Sequence, residues 1–146
     1  VNVGDSTSND FYLTGVQLEV GDTATDFEHR SFADELQRCQ RYCQVLDPGV
    51  AYAQYNFVGF CESSTKVKST YSFPTIMRAA PTQTRSGNFL YDGATSNPTI
   101  SSLYGSSITN YCCRSEDTVS SGNTGEGVLL INNNDATAKI TFDAEL

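Results

Sequence analysis

Apolar residues recur along this chain in two rhythms. Phe11, Leu13, Val16, Leu18 and Val20 nearly alternate with polar neighbours, interrupted at Gly15. Period-two alternation predicts a strand over Phe11–Val20, and the glycine predicts a bulge within it. Residues 23–30 read as an irregular connection around Phe27. The rhythm then changes. Ser31 is placed as an N-cap with Asp34 and Glu35 in the first turn, and Leu36, Cys39, Cys43 and Leu46 follow at spacings of three and four. That stripe predicts a helix over 31–47, stopped by Asp47-Pro48-Gly49. At this length it is marginal alone and must pack on something.

From Val50 onward the pattern is strands and turns. Residues 51–61 are aromatic and β-rich. Residues 66–73 alternate, with Val67, Ser69, Tyr71 and Phe73 on one side and Pro74 as the breaker. Further strands are predicted near 82–90, 110–119, 127–132 and 136–142. Asp92-Gly93 reads as a turn, and residues 132–135 as a tight turn. The Ser/Asn/Gly-rich stretch 87–111 is weakly patterned and predicts long loops around short strands. The expected fold is mainly β: an antiparallel, jelly-roll-like β-sandwich of six to eight strands, preceded by one short helix and an N-terminal strand. The expected division is 1–30 as a linker and the terminal strand of an upstream module, 31–47 as the helix, and 48–146 as the sandwich.

Composition narrows the classes. With 146 residues, 38% hydrophobic and 18% charged, the chain has material for one modest core. No apolar run approaches about 18 residues, so no membrane insertion is expected. Nine basic against 17 acidic residues give a net charge of −8, which argues against nucleic acid as a partner. The five cysteines, Cys39, Cys43, Cys61, Cys112 and Cys113, are an odd number without a disulfide framework. They are expected reduced and packed. A zinc site is not expected beside the single His29. The chain begins at Val1 without a leader and reads as a piece of a longer polypeptide.

Candidate chemistry is sparse. His29 reads as structural or exposed, since no GxSxG or Cys/His arrangement marks it as a base. Glu116-Asp117 and the pair Asp143 and Glu145 read as charged, solvated strand ends rather than glycosidase carboxylates. Asp22, Asp26 and Asp135 lie in no recognisable calcium loop. No metal, cofactor or catalytic residue is expected. Tyr91, Tyr104 and Tyr111 lie in or beside the Ser/Asn-rich stretch. Rigid amphipathic rings among small hydrogen-bonding groups suit receptor contact.

Several blocks together resemble one family. Phe11-Tyr-Leu-Thr-Gly-Val-Gln-Leu-Glu-Val-Gly21, Ala24-Thr-Asp-Phe-Glu-His-Arg30 and Glu35-Leu-Gln-Arg-Cys-Gln-Arg-Tyr42 are similar to a "GVQLEVG…ATxFEHR…ELxxCQRYY" pattern. Phe73-Pro74 with Met77-Arg78-Ala79-Ala80-Pro81-Thr82 is similar to "FPxxMRxxPT", and Phe142-Asp-Ala-Glu-Leu146 resembles a common ending. The pattern belongs to C-terminal regions of bacteriophage tail fibre and related virion surface proteins. Cys43 departs from it, standing where a second aromatic is usual. The resemblance implies a non-enzymatic tail fibre tip in the virion, assembled in the host bacterial cytoplasm. It implies a homotrimer, contact with other virion proteins, and recognition of a host surface glycan or protein. The helix stripe Leu36, Cys39, Cys43 and Leu46 is then expected to dock on the sandwich or between subunits. Alternatives are a purely structural fibre, appendage or capsid-decoration protein, and a carbohydrate-binding module of a larger depolymerase.

Overall fold

The computed structural model describes residues 12–102 and 105–145. The chain divides into two units, Val1–Phe32 and Ala33–Leu146. The expected linker 1–10 and Phe11 lie outside the described residues.

In the first unit, residues 12–30 form neither helix nor strand. The expected strand is therefore corrected for its described part. Gly15 does adopt a left-handed φ of +68°, but Leu13, Val16, Leu18 and Val20 are all exposed. A strand needs a neighbouring ladder to satisfy its backbone, and residues 12–30 supply none. Polar side chains hold this segment instead. Glu19 Oε1 accepts from Thr25 N at 2.7 Å, its Oε2 accepts from Thr25 Oγ1 at 2.5 Å, and Gln17 Oε1 accepts from Glu28 N at 2.8 Å. The two Thr25 bonds, with one from Gln17 Nε2 at 3.1 Å, hold the Glu19 carboxyl below its ordinary value.

The second unit contains the helix and the sheets. Helix α1 spans Phe32–Gln40, with Asp34 and Glu35 in its first turn and Arg38 in its last, the charge order that suits its dipole. The expected helix to residue 47 is corrected. The chain turns at Arg41-Tyr42, and strand β1 (Cys43–Leu46) follows. Cys43, Gln44, Val45 and Leu46 pair antiparallel with Asp143, Phe142, Thr141 and Ile140. The ladder offered by the C-terminal strand outweighs local helical spacing, because a short helix gains little without packing.

The remaining strands are β2 (Gln54–Ser63), β3 (Lys66–Ser72), β4 (Thr82–Ser86), β5 (Phe89–Gly93), β6 (Ile100–Ser102), β7 (Gly105–Ile108), β8 (Cys112–Val119), β9 (Gly127–Asn132) and β10 (Lys139–Asp143). They form two antiparallel sheets. The smaller has the order β1-β10-β4. The larger has the order β5-β9-β2-β3-β8-β6, with β7 also pairing β8. A bridge from Leu90 to Thr99 and a bond from Tyr91 N to Pro98 O at 3.0 Å bring β5 to the segment before β6. The larger sheet thus nearly closes on itself. The fold is mainly β, an antiparallel sandwich verging on a barrel, as the alternation predicts.

The expected strand at 82–90 is two strands in two different sheets. Gly87, at φ +91°, makes the switch. A Cβ there would lie 2.6 Å from Ala138 Cα, so both the turn and the close approach require glycine.

The core lies between the sheets. Val67, Ser69, Tyr71 and Phe73 all point inward, as their spacing predicts. Tyr71 stacks on Phe142 of β10 at 5.6 Å and on Phe57 of β2 at 5.1 Å, and Phe73 meets Phe142 edge-on at 4.8 Å. Each such ring contributes about 2–3 kcal/mol by leaving water.

Candidate functional site

The densest chemistry in the molecule lies inside the sandwich. Along β8, Cys113, Ser115, Asp117 and Val119 face inward. Asp117 is therefore no solvated strand end: it is fully buried, and that expectation is corrected. Arg85, reaching in from β4 of the opposite sheet, has a side chain only 4% exposed. Its Nη1 donates to Asp117 Oδ2 at 3.2 Å and its Nη2 to Ser115 Oγ at 2.8 Å. Ser115 Oγ in turn donates to Asp117 Oδ1 at 3.0 Å. Tyr91 OH donates to Asp117 Oδ2 at 2.5 Å and accepts from Ser69 Oγ at 2.8 Å. With its amide oxygen turned toward the guanidinium, Gln83 accepts from Arg85 Nε at 2.9 Å.

A buried carboxylate is tolerable only when paired and fully hydrogen-bonded, which is the arrangement here. Burial, then the Asp117 charge, push the Tyr91 phenol far above its usual range. Burial lifts the Cys113 thiol to about 11. Both groups stay protonated at neutral pH, so neither supplies a nucleophile there. The network's work is to tie β4 of one sheet to β8, β5 and β3 of the other.

This settles the place of Tyr91. It is wholly buried, and the expectation that it meets a receptor is corrected. An alternating strand fixes which residues share a face but not which face is inside. Tyr111 is 59% exposed just before β8, and its carbonyl accepts from Phe73 N at 3.0 Å. Tyr104 lies outside the described residues. The helix-packing stripe is corrected at its second half, which is not helical. Leu36 and Cys39 are exposed on α1, which has no buried residue, while Cys43 and Leu46 belong to β1. Burial and the charges of Asp143 and Glu145 raise the Cys43 thiol. All five cysteines are free, but only Cys61 and Cys113 are buried. His29 stays exposed, edge-on to Phe27 at 4.9 Å.

Among the described residues no cluster of three or more His, Cys, Asp or Glu side chains is arranged to hold a metal. Asp135 instead accepts from Asn88 N at 3.0 Å, Thr137 N at 3.0 Å and Thr137 Oγ1 at 2.7 Å.

Comparisons with protein-family models, curated proteins and solved structures find no match.

On the surface, a groove of about 760 Å³ opens between the last turn of α1 and the β3–β4 connection. Arg38, Arg41 and Tyr42 line one side, and Pro74, Thr75 and Ile76 the other. Its walls are pinned. Thr75 Oγ1 donates to Gln40 Oε1 at 3.0 Å, and Gln44 Nε2 donates to Gln40 O at 3.0 Å and Thr75 O at 3.2 Å. Arg78 N donates to Arg41 O at 2.7 Å, and the Arg78 guanidinium lies 5.8 Å from the centre of the Tyr42 ring. No local pattern in the sequence marks Arg38 and Arg41 as a site. The available signal is that Arg41, Tyr42 and Arg78 are rare cations and an aromatic within two recognisable blocks.

Proposed function

We propose that this chain is a non-enzymatic virion domain of the tail-fibre C-terminal type, a homotrimer that recognises a host surface receptor. The observation that carries the reading is a division of labour within the fold. In the recognisable blocks of the sandwich unit, Phe73, Met77, Pro81, Phe142 and Ala144 are buried and build the scaffold. In and beside the unmatched, Ser/Asn-rich stretch, Phe89, Leu90 and Tyr91 join the core, whereas Thr95, Thr99, Ser101, Ser102 and Tyr111 are exposed. A rigid scaffold presenting exposed polar segments is the usual design of a recognition domain. The buried Arg85–Asp117–Tyr91 network supports the same reading, because its groups are engaged in holding the sheets together.

The test is competition. The purified chain is added to host cells before phage, and adsorption is counted. A drop in adsorption that saturates with the chain supports the reading, and no drop at saturating concentration rejects it. Native mass spectrometry tests the trimer directly, and a stable monomer at micromolar concentration rejects that part.

A further inference from the structure

The basic residues divide into two sets. Arg30 pairs with Glu28, Lys66 and Arg114 with Glu116, Lys68 with Glu62, and Arg85 with Asp117. Arg38, Arg41 and Arg78 form no ion pair among the described residues, and Lys139 is the only other basic residue in that condition. Two of these four cations, Arg38 and Arg41, line one groove, and Arg78 lies over the ring of Tyr42 in its wall, on a chain that carries 17 acidic residues.

Random placement on so acidic a surface favours neutralised arginines. Here Arg38 and Arg41 form no ion pair among the described residues and the Arg78 guanidinium rests over the Tyr42 ring, while the backbone around them is satisfied. The last helical carbonyls are taken by Arg41 N on Arg38 O, Tyr42 N on Cys39 O, and Gln44 Nε2 on Gln40 O. The negative end of the helix dipole is thus partly quenched, and the fixed charge in the groove is positive. Screening at physiological salt acts over roughly 8 Å, so the local cluster outweighs the distant net charge. Guanidinium forks match planar carboxylates in bidentate geometry.

We infer that this groove binds a carboxylate-bearing polysaccharide. Tyr42 is 43% exposed and presents a ring to sugar faces, while Thr75 and Gln37 offer groups for hydroxyls. The groove is a partly open surface feature rather than an enclosed cavity, which suits a segment of a polymer better than a fully buried small ligand. An acidic peptide fits less well. Extended peptides gain affinity from main-chain bonds to a free strand edge, and here Arg41 O is already taken by Arg78 N. The inference rests on the receptor reading for its biological meaning, but the binding is measurable without it.

The experiment titrates the full chain with polygalacturonate, neutral dextran and poly-glutamate by calorimetry at low and high salt. The expected result is binding of polygalacturonate alone, weakened at least tenfold from about 50 to 500 mM salt and at least tenfold by R38Q/R41Q. Unchanged thermal melting of R38Q/R41Q shows that the variant is folded. If it does not fold, R78Q provides the same comparison from outside the helix. Absence of polygalacturonate binding, binding that the substitutions leave untouched, or equal affinity for poly-glutamate overturns the inference. Adsorption competition separates the two readings. A chain that binds polygalacturonate through these arginines but does not compete with phage upholds the groove and rejects the receptor role. A chain that competes while R38Q/R41Q binds polygalacturonate unchanged overturns the groove alone.

Discussion

The hydroxyl of Tyr91 on β5 lies 2.5 Å from Oδ2 of Asp117 on β8, and that same oxygen receives Arg85 Nη1 from the opposite sheet at 3.2 Å. Three strands from two sheets converge on one buried oxygen. Removing one partner of such a pair leaves an uncompensated charge in the core. Asp117→Ala and Arg85→Ala should each cost about 3–5 kcal/mol, read from urea unfolding. The costs should not add in the double variant, because both act on one network. Single losses below about 1 kcal/mol would show the network to be solvated.

Tyr91 also sets an alkaline limit. Its folded phenol titrates above the ordinary value of 10.0, so the folded state holds a proton that the unfolded state releases. Its contribution is complete below about pH 10 and is lost as pH rises toward the folded value. Tyr91→Phe should cost about 1–3 kcal/mol at neutral pH by orphaning hydrogen-bond partners. It should also flatten the fall of stability above pH 10, followed by urea midpoints across the alkaline range.

Glu126 governs an acid-side effect. Its carboxylate accepts from Thr95 N at 2.5 Å, Thr95 Oγ1 at 2.9 Å, Ser96 N at 3.2 Å and Ser96 Oγ. Those bonds, that from Ser96 Oγ foremost, hold its pKa down to about 2 against the ordinary 4.5. The stabilisation is present above the unfolded value and fades as pH falls through the folded one. Protection of the Thr95 and Ser96 amides, taken relative to the intrinsic exchange rate at each pH, should therefore fall between about pH 4.5 and pH 2, and Glu126→Gln should remove that pH dependence. Protection that is flat with pH in the parent chain would count against the clasp.

Gly87 is where the chain passes from one sheet to the other. Gly87→Ala combines a left-handed φ with overlap against Ala138, and should cost at least about 1–3 kcal/mol. Differential scanning calorimetry reads this directly, and an unchanged melting temperature would mean that the switch tolerates a side chain.

Leu36→Asp tests the helix. Leu36 is 44% exposed, and no residue of α1 is buried within the chain. Folding stability should stay within about 0.5 kcal/mol. A larger loss, accompanied by a lower native mass, would place this face against another subunit.

Much of the sandwich was legible in the sequence. Alternation over residues 66–73 alone determined that Val67, Ser69, Tyr71 and Phe73 share one face, because a pleated strand has a strict period of two. Turn residues likewise marked most strand ends. The tertiary structure decided three things that no local window contains. Cys43–Leu46 became a strand because β10, nearly a hundred residues later, offered it a ladder, although a spacing of three puts Cys43 and Leu46 on opposite faces of that strand. Residues 82–90 became two strands because Gly87 had to admit Ala138 at close range. Asp117 and Tyr91 went inside because Arg85 arrived from the other sheet to neutralise the carboxylate. The open arginine groove has the same origin. Arg41 and Arg78 are remote in sequence and meet only because one's amide bonds the other's carbonyl. Local pattern sets which residues share a face, and long-range pairing sets what that face meets.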